Sequence, residues 1–314
     1  MTVPERRLRD LRRMRQGDTV DYPTVARLEI NEVLDAMASV GAAPVVPVRP
    51  LSGGAVGAWA VRRPNGETSV LTWRGPTRGQ DGVALAHRIA ELVTIARAHG
   101  IPAPRYEDVV ALPNGGAVVL QEFVAGTRPA PRRRVVAELL QLSERRRGVL
   151  SGTGHEKDGT RLYLRQDGPG FCLHGPLRDH DRRTRRLLGW IEDVGSATDD
   201  VVVGTDLVHF DYHLGNVLVA ADDASEVVGI VDWDGAGNGD VGVDGVTLAL
   251  DLVLCNAEPL VVDQIVDHLS ATTPLLDLQS YWAHGLLRLV DWRLRHSPDD
   301  DLTWLPRAEQ LAGV

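Results

Sequence analysis

The stretch from His209 to Asp234 constrains this chain more than any other. It reads His209-Phe210-Asp211-Tyr212-His213-Leu214-Gly215-Asn216, then Val217-Leu218-Val219, and after Asp222-Asp223 it resumes as Val227-Val228-Gly229-Ile230-Val231-Asp232-Trp233-Asp234. Two short β-branched runs around a polar turn predict a hairpin. A hairpin returns its second strand beside the loop that began it, so the oxygens of Asp211, Asn216 and Asp232 can converge. Such a set suits phosphoryl transfer: one carboxylate beside an attacking hydroxyl, and two oxygen ligands for the divalent ion at the phosphates. The same residues admit a second reading. On a strand His209, Asp211 and His213 share a face, and His-x-Asp-x-His is also a metal-ligand pattern. The other histidines, among them His155, His174, His180 and His284, form no evident second ligand cluster.

Around this hairpin the chain divides into a β-rich and a helical half. Apolar spacing predicts a helix over 22–40, ended by Gly41. Residues 45–74 then read as strand, glycine loop, strand, a Pro64-Asn65-Gly66 turn and a third strand. A helix over 83–99 and two strands, near Arg105–Leu112 and Ala117–Phe123, complete the first half. Beyond Gly126 helices are predicted near 132–148, 181–194, 242–256, 259–270 and 278–295, with 151–180 taken as a long loop or insertion. Segregated strands and helices predict an α+β fold, divided into residues 1–124 and 125–314.

Composition narrows the classes of function. The chain has 314 residues and a net charge of −9, which argues against a nucleic-acid binder. The arginines at positions 6, 7, 9, 12, 13 and 15 read as a solvated helix face. No apolar run reaches the roughly 18 residues of a membrane span, and the charged N-terminus lacks a secretory apolar core, so a cytoplasmic location is expected. Cys172 and Cys255 are isolated thiols. Lys157 is the sole lysine, and the near-exclusive use of arginine reads as the coding bias of a GC-rich genome.

The hairpin motifs together resemble the aminoglycoside phosphotransferase and choline kinase superfamily, relatives of the protein kinases. That family's loop reads H-G-D-x-x-x-x-N and its metal strand I-D-W/F; here stand His209-Phe210-Asp211 with Asn216, and Ile230-Val231-Asp232-Trp233. Its G-D-P-x-x-D-L-A stretch is met by Gly239-Asp240-Val241-Gly242-Val243-Asp244-Gly245, which keeps both acids. The resemblance implies a two-lobed, protein-kinase-like fold. It implies Asp211 as catalytic base, Asn216 and Asp232 as Mg²⁺ ligands, and Asp240 and Asp244 as supports of the loop. ATP or GTP would be the co-substrate. Ser52, Gly53 and Gly54 lie where a glycine loop covers phosphates. Thr72 aligns with the family's phosphate-binding lysine, and Arg74, on the same strand face, is the cation expected to replace it. Glu91 matches the glutamate that orients that cation, and the backbone near Glu122 and Val124 matches the hinge that meets adenine. Asp234, Asp251 and Glu258 are candidates to line an acceptor pocket.

The acceptor implied is a small-molecule hydroxyl, and the acidity of the chain favours a cationic antibiotic such as an aminoglycoside or basic peptide, with resistance as the outcome. Two other readings stay open: a metabolic kinase of choline or sugar type, and a degenerate nucleotide binder without catalysis, suggested by the absent lysine. A monomer or homodimer is expected.

Overall fold

The computed structural model describes residues 29–51, 57–74, 82–155, 159–297 and 300–314. The arginine-rich N-terminus, the glycine-loop residues Ser52, Gly53 and Gly54, and Lys157 lie outside the described residues.

The first half is an antiparallel sheet between two helices. Strands β1 (Val46–Leu51), β2 (Ala58–Arg62), β3 (Thr68–Arg74), β4 (Tyr106–Ala111) and β5 (Ala117–Glu122) pair in the order β1-β2-β3-β5-β4. Helix α1 (Ile30–Ser39) packs Ile30, Val33 and Met37 on one face of the sheet, against Val61, Leu71, Val118 and Leu120. Helix α2 (Gly82–Ala98) covers the other face, with Ala86 against Ala117 and Val119. Because Thr72 pairs with Val119 and Arg74 with Ala117, both β3 side chains stand on the α2 face. Further along, α2 buries Ile89, Leu92, Val93 and Ala96 in the main core of the helical half, so one helix ties the halves together.

That helical half is built on α6 (Gly242–Leu254), which lies against α7 (Pro259–Thr272) and α8 (Leu275–His296). Contact is close at Gly285, where a β-carbon would come within 2.8 Å of Leu250 Cδ1. Around them stand α3 (Arg133–Glu144), α4 (His174–His180), α5 (Arg182–Ala197) and α9 (Leu305–Ala312). The region 151–180 departs from the expected loop. Thr160–Arg161 (β6) pairs with Val201–Val202 (β7), α4 occupies its end, and Leu162, Leu164, Cys172 and Leu177 are fully buried. A two-residue strand and a seven-residue helix with Pro176 in its first turn are too short to show a period. The short α9 falls below that limit too.

The expected hairpin forms between β9 (Val217–Val219) and β10 (Val227–Ile230). Its turn is fixed by Asp223, whose Oδ1 accepts from the Ser225 N–H at 2.9 Å and the Ser225 hydroxyl at 2.6 Å. Beside it β8 (Asp206–Val208) pairs with β11 (Gly237–Gly239). The hairpin meets the first half at the connection between α2 and β4, where the Ile230 N–H donates to Pro102 O at 2.6 Å. Among the described residues no helix is long and apolar enough to cross a membrane.

Candidate active site

Between β8 and β9 the chain turns back on itself. Asn216 Nδ2 donates to Asp211 twice, to its backbone oxygen and to Oδ2, both at 3.0 Å. That bonding fixes the amide with Oδ1 turned away, and no described residue donates to this oxygen. Asp232, reached through the hairpin, stands in a left-handed conformation (φ 63°) at the start of the Trp233–Gly235 turn. Its carboxylate has no donor among the described residues. Surrounding protein, with the charges of Asp234 and Asp211, pushes its pKa up to about 6. Excess negative charge beside these unsatisfied oxygens is an arrangement that could hold a hard divalent cation.

The Asp211 carboxylate is held from two sides. His213 Nε2 lies 3.3 Å from Oδ2, and Arg288 Nη2 of α8 lies 2.7 Å from Oδ1. Burial works to raise this pKa, but the His213 hydrogen bond and the Arg288 charge outweigh it and keep the group well below the usual carboxylate range. His213 Nδ1 accepts from the Gly215 N–H at 3.1 Å, which leaves Nε2 as the protonated nitrogen toward Asp211. Arg288 also donates to the backbone oxygen of Phe210.

Phe210 stands where the family motif has glycine, yet it adopts φ 61°. For a bulky residue that conformation costs about 1–2 kcal/mol. Several contacts hold it. The Phe210 and His209 N–H groups both donate to Asp244, each at 2.8 Å, and Arg288 takes the Phe210 carbonyl. The phenyl ring lies along Gly237 and Gly239, where a β-carbon would come within 3.6 and 3.5 Å of it.

Asp244 is fully buried on α6 and is ion-paired with the equally buried Arg146, whose guanidinium lies 4.4 Å from the Tyr212 ring centroid. Sequence reading expected Asp244 here but missed Arg146 and Arg288. Arg146 reaches the loop from the turn after α3 and Arg288 from α8, both distant in sequence, and one more arginine in an arginine-rich stretch carries no signal. Asp240 accepts from the N–H of Gly242, the first residue of α6, at 2.7 Å. His209 is buried, accepts from the Asp211 N–H at 3.3 Å and lies 3.0 Å from Val231 O, so both ring nitrogens are engaged inside the fold. This removes it from the His-x-Asp-x-His ligand set, and the described residues include no group of three or more His, Cys, Asp or Glu arranged to hold a metal.

Across the cleft, Thr72 accepts from Gln121 Nε2 at 3.3 Å. Arg74 is 9% exposed; it is ion-paired with Asp234 and lies 3.4 Å from the Tyr106 hydroxyl, while its buried Nε has no partner among the described residues. Glu91 does not meet it. Its side chain is two-thirds exposed and pairs with His155 at 3.4 Å, because the buried face of α2 is formed by Ala86, Ile89, Leu92, Val93 and Ala96. The carboxylate that holds Arg74 therefore comes from the hairpin and not from α2. The Glu122 carboxylate accepts from Arg97 Nη1 at 2.9 Å and from the Arg105 N–H at 3.0 Å, and its N–H donates to Arg105 O at 2.8 Å. Val124 packs on β10 across Gly229, and its backbone N–H and C=O have no partner among the described residues.

A sequence model of the phosphotransferase enzyme family (APH) matches residues 47–278. The chain belongs to this phosphotransferase family. Amicoumacin kinase hAmiN in complex with AMP-PNP, Ca²⁺ and Ami is 14% identical over 91% of this chain and 93% of that one, with a TM-score of 0.58. A thermostable mutant of the aminoglycoside phosphotransferase APH(4)-Ia is also 14% identical, over 88% and 96%, with a TM-score of 0.58. APH(3'')-Id from Streptomyces rimosus in complex with ADP and streptomycin is 18% identical over 84% and 99%, with a TM-score of 0.51. At such identities the likeness carries the two-lobed, protein-kinase-like fold. Among curated protein sequences none matches. As a member of the family this protein is a phosphotransferase.

Of the three acids expected to line an acceptor pocket, two have partners inside the protein. Asp234 is tied to Arg74, although half of its side chain stays exposed. Asp251 Oδ2 accepts from the Leu214 N–H at 2.9 Å and supports the turn before Asn216, while its Oδ1 lies 3.9 Å from Cys255 Sγ. Glu258 is exposed at the start of α7 and bonds to none of the site residues.

Proposed function

We propose that this phosphotransferase moves the γ-phosphoryl group of ATP or GTP onto a hydroxyl of a small-molecule antibiotic in the cytoplasm, conferring resistance. Asp211 would act as base, and Asn216 and Asp232 would hold Mg²⁺. The observation that carries this reading is the pair of donor-free oxygens, Asn216 Oδ1 and the Asp232 carboxylate, beside an Asp211 held ionised. Bound there, Mg²⁺ would neutralise charge at the β- and γ-phosphates. The acceptor oxygen forms the new O–P bond as the bond from the γ-phosphorus to the bridging oxygen breaks; the nucleoside diphosphate leaves with that oxygen, and the hydroxyl proton passes to Asp211. Arg74 supplies positive charge from β3 in place of a lysine. The Val124 backbone is free to meet the purine edge. A glycine loop over 52–54 and a lobe division near residue 124 belong to the same reading.

The test is an ADP-release screen across aminoglycosides, cyclic basic peptides, macrolides and amino alcohols, with Asp211→Ala as control and drug susceptibility of an expressing strain alongside. Acceptor-dependent release that vanishes in the control supports the reading. Release with protection from no drug points to a metabolic kinase. A second reading, a nucleotide binder without catalysis, is favoured by the engagement of Arg74 with Asp234 and of Thr72 with Gln121. Nucleotide binding with no release by any acceptor would select it.

A further inference from the structure

An ionised carboxylate accepts about four hydrogen bonds, two at each oxygen. Asp211 Oδ2 already meets two donors, Asn216 Nδ2 and His213 Nε2. Oδ1 meets only Arg288 Nη2. One position is therefore open, it lies on Oδ1, and the side chain is one-third exposed, so an incoming hydroxyl can reach it. A hydroxyl that donates there sits beside the Arg288 guanidinium. Arg288 is itself one-third exposed, its two terminal nitrogens are engaged by Phe210 O and Asp211, and no described residue accepts from its Nε–H. The cleft thus presents a fixed cation with a spare donor next to the reacting oxygen. Of the acids expected to balance it for a polycation, Asp234 is paired with Arg74, Asp251 holds the Leu214 amide, and Glu258 bonds to none of the site residues.

We propose that Arg288 is a specificity-determining residue of the transfer described above: the acceptor hydroxyl docks on Asp211 Oδ1, and the group flanking it is an oxygen or amide acceptor for Arg288, not an ammonium. Like charges a few ångströms apart in a half-buried cleft repel strongly, whereas a carbonyl, ether or second hydroxyl takes the spare N–H. Positive charge elsewhere on the acceptor is unaffected. The guanidinium also lies beside the oxygen on which negative charge develops as its proton leaves, so it favours the transferring geometry as well as the bound one.

The inference rests on the alcohol-kinase reading, and matched acceptors separate the two. Kanamycin and hygromycin B would be compared with their per-N-acetylated forms, which keep every hydroxyl but lose the ammonium charges. The readout is kcat/KM for acceptor-dependent ADP release by the parent, Arg288→Lys and Arg288→Gln. The parent and Arg288→Lys are expected to favour the acetylated form of a pair by at least about tenfold, and Arg288→Gln to bring the ratio to within about threefold of unity. Because the ratio is taken within one preparation, partial unfolding of a variant cancels. A parent that prefers the free amines, or a preference unchanged in Arg288→Gln, overturns the inference and leaves the kinase reading standing. Release by none of the four compounds overturns the inference together with the antibiotic acceptor on which it rests.

Discussion

On the hairpin side of the cleft, Asp211, Asn216, His209 and Asp244 are held by partners that are themselves buried or bonded. On the sheet side, Arg74 leans out of β3 to a carboxylate 160 residues away, and its Nε finds no partner among the described residues. The first region carries its geometry within the helical half. The second acquires its charge placement only where the two halves meet. Substitutions in the hairpin should therefore change chemistry or local stability, and substitutions on β3 should change how the nucleotide is used.

The largest effect expected is that of Asp211→Asn, which keeps the shape of the loop and loses acceptor-dependent turnover by about 10²–10⁴-fold. Turnover close to the parent would remove the base from the hairpin side. Next comes Arg146→Leu, which leaves Asp244 buried without its cation and should cost about 3–5 kcal/mol in urea unfolding, part of it recovered in Arg146→Leu/Asp244→Asn. A cost below about 1 kcal/mol would mean that the backbone bonds to His209 and Phe210 hold the loop unaided. Arg74→Ala should lower kcat/KM for ATP by about 10²-fold with little change for the acceptor, and adding Thr72→Lys should restore part of it. An unchanged value would make β3 as inert toward phosphate as it is toward Glu91.

The smallest effect concerns His209, whose pKa burial lowers from 6.5 to about 4. As pH falls from 6.5 toward 4, the unfolded chain takes up a proton that the folded loop refuses. Stability is therefore full above pH 6.5 and declines below it, by at most roughly 1.4 kcal/mol per pH unit for this group. His209→Gln should flatten that acid limb in denaturant titrations, while His284, lowered to about 4 by the same burial, keeps its share.

What the sequence revealed follows the same divide. The hairpin was readable because Asp211, Asn216 and Asp232 sit in register within two dozen residues, and Asp244 because the stretch from Gly239 to Gly245 keeps both acids of the family motif it resembles. Helices such as 83–99 and 242–256 came within a few residues of their observed ends, since each is long enough to show a buried face. Glu91, Asp234 and Asp251 were placed by order along the chain, and order does not say which way a side chain turns or who has already claimed it. Arg146 and Arg288 act through partners about 98 and 77 positions away, a separation at which no spacing rule applies.

Phe210 has a consequence for reading sequences of this kind. Its left-handed backbone is held by Asp244 through the Phe210 N–H and by Arg288 through the Phe210 carbonyl, while the ring itself keeps ordinary contact distance from Gly237 and Gly239. A chain with glycine between the histidine and the aspartate adopts that backbone without such support. Across related sequences, a large residue in the middle of the loop should therefore travel with a donor at the position of Arg288, and a pattern search that insists on glycine in the loop would pass over this whole branch.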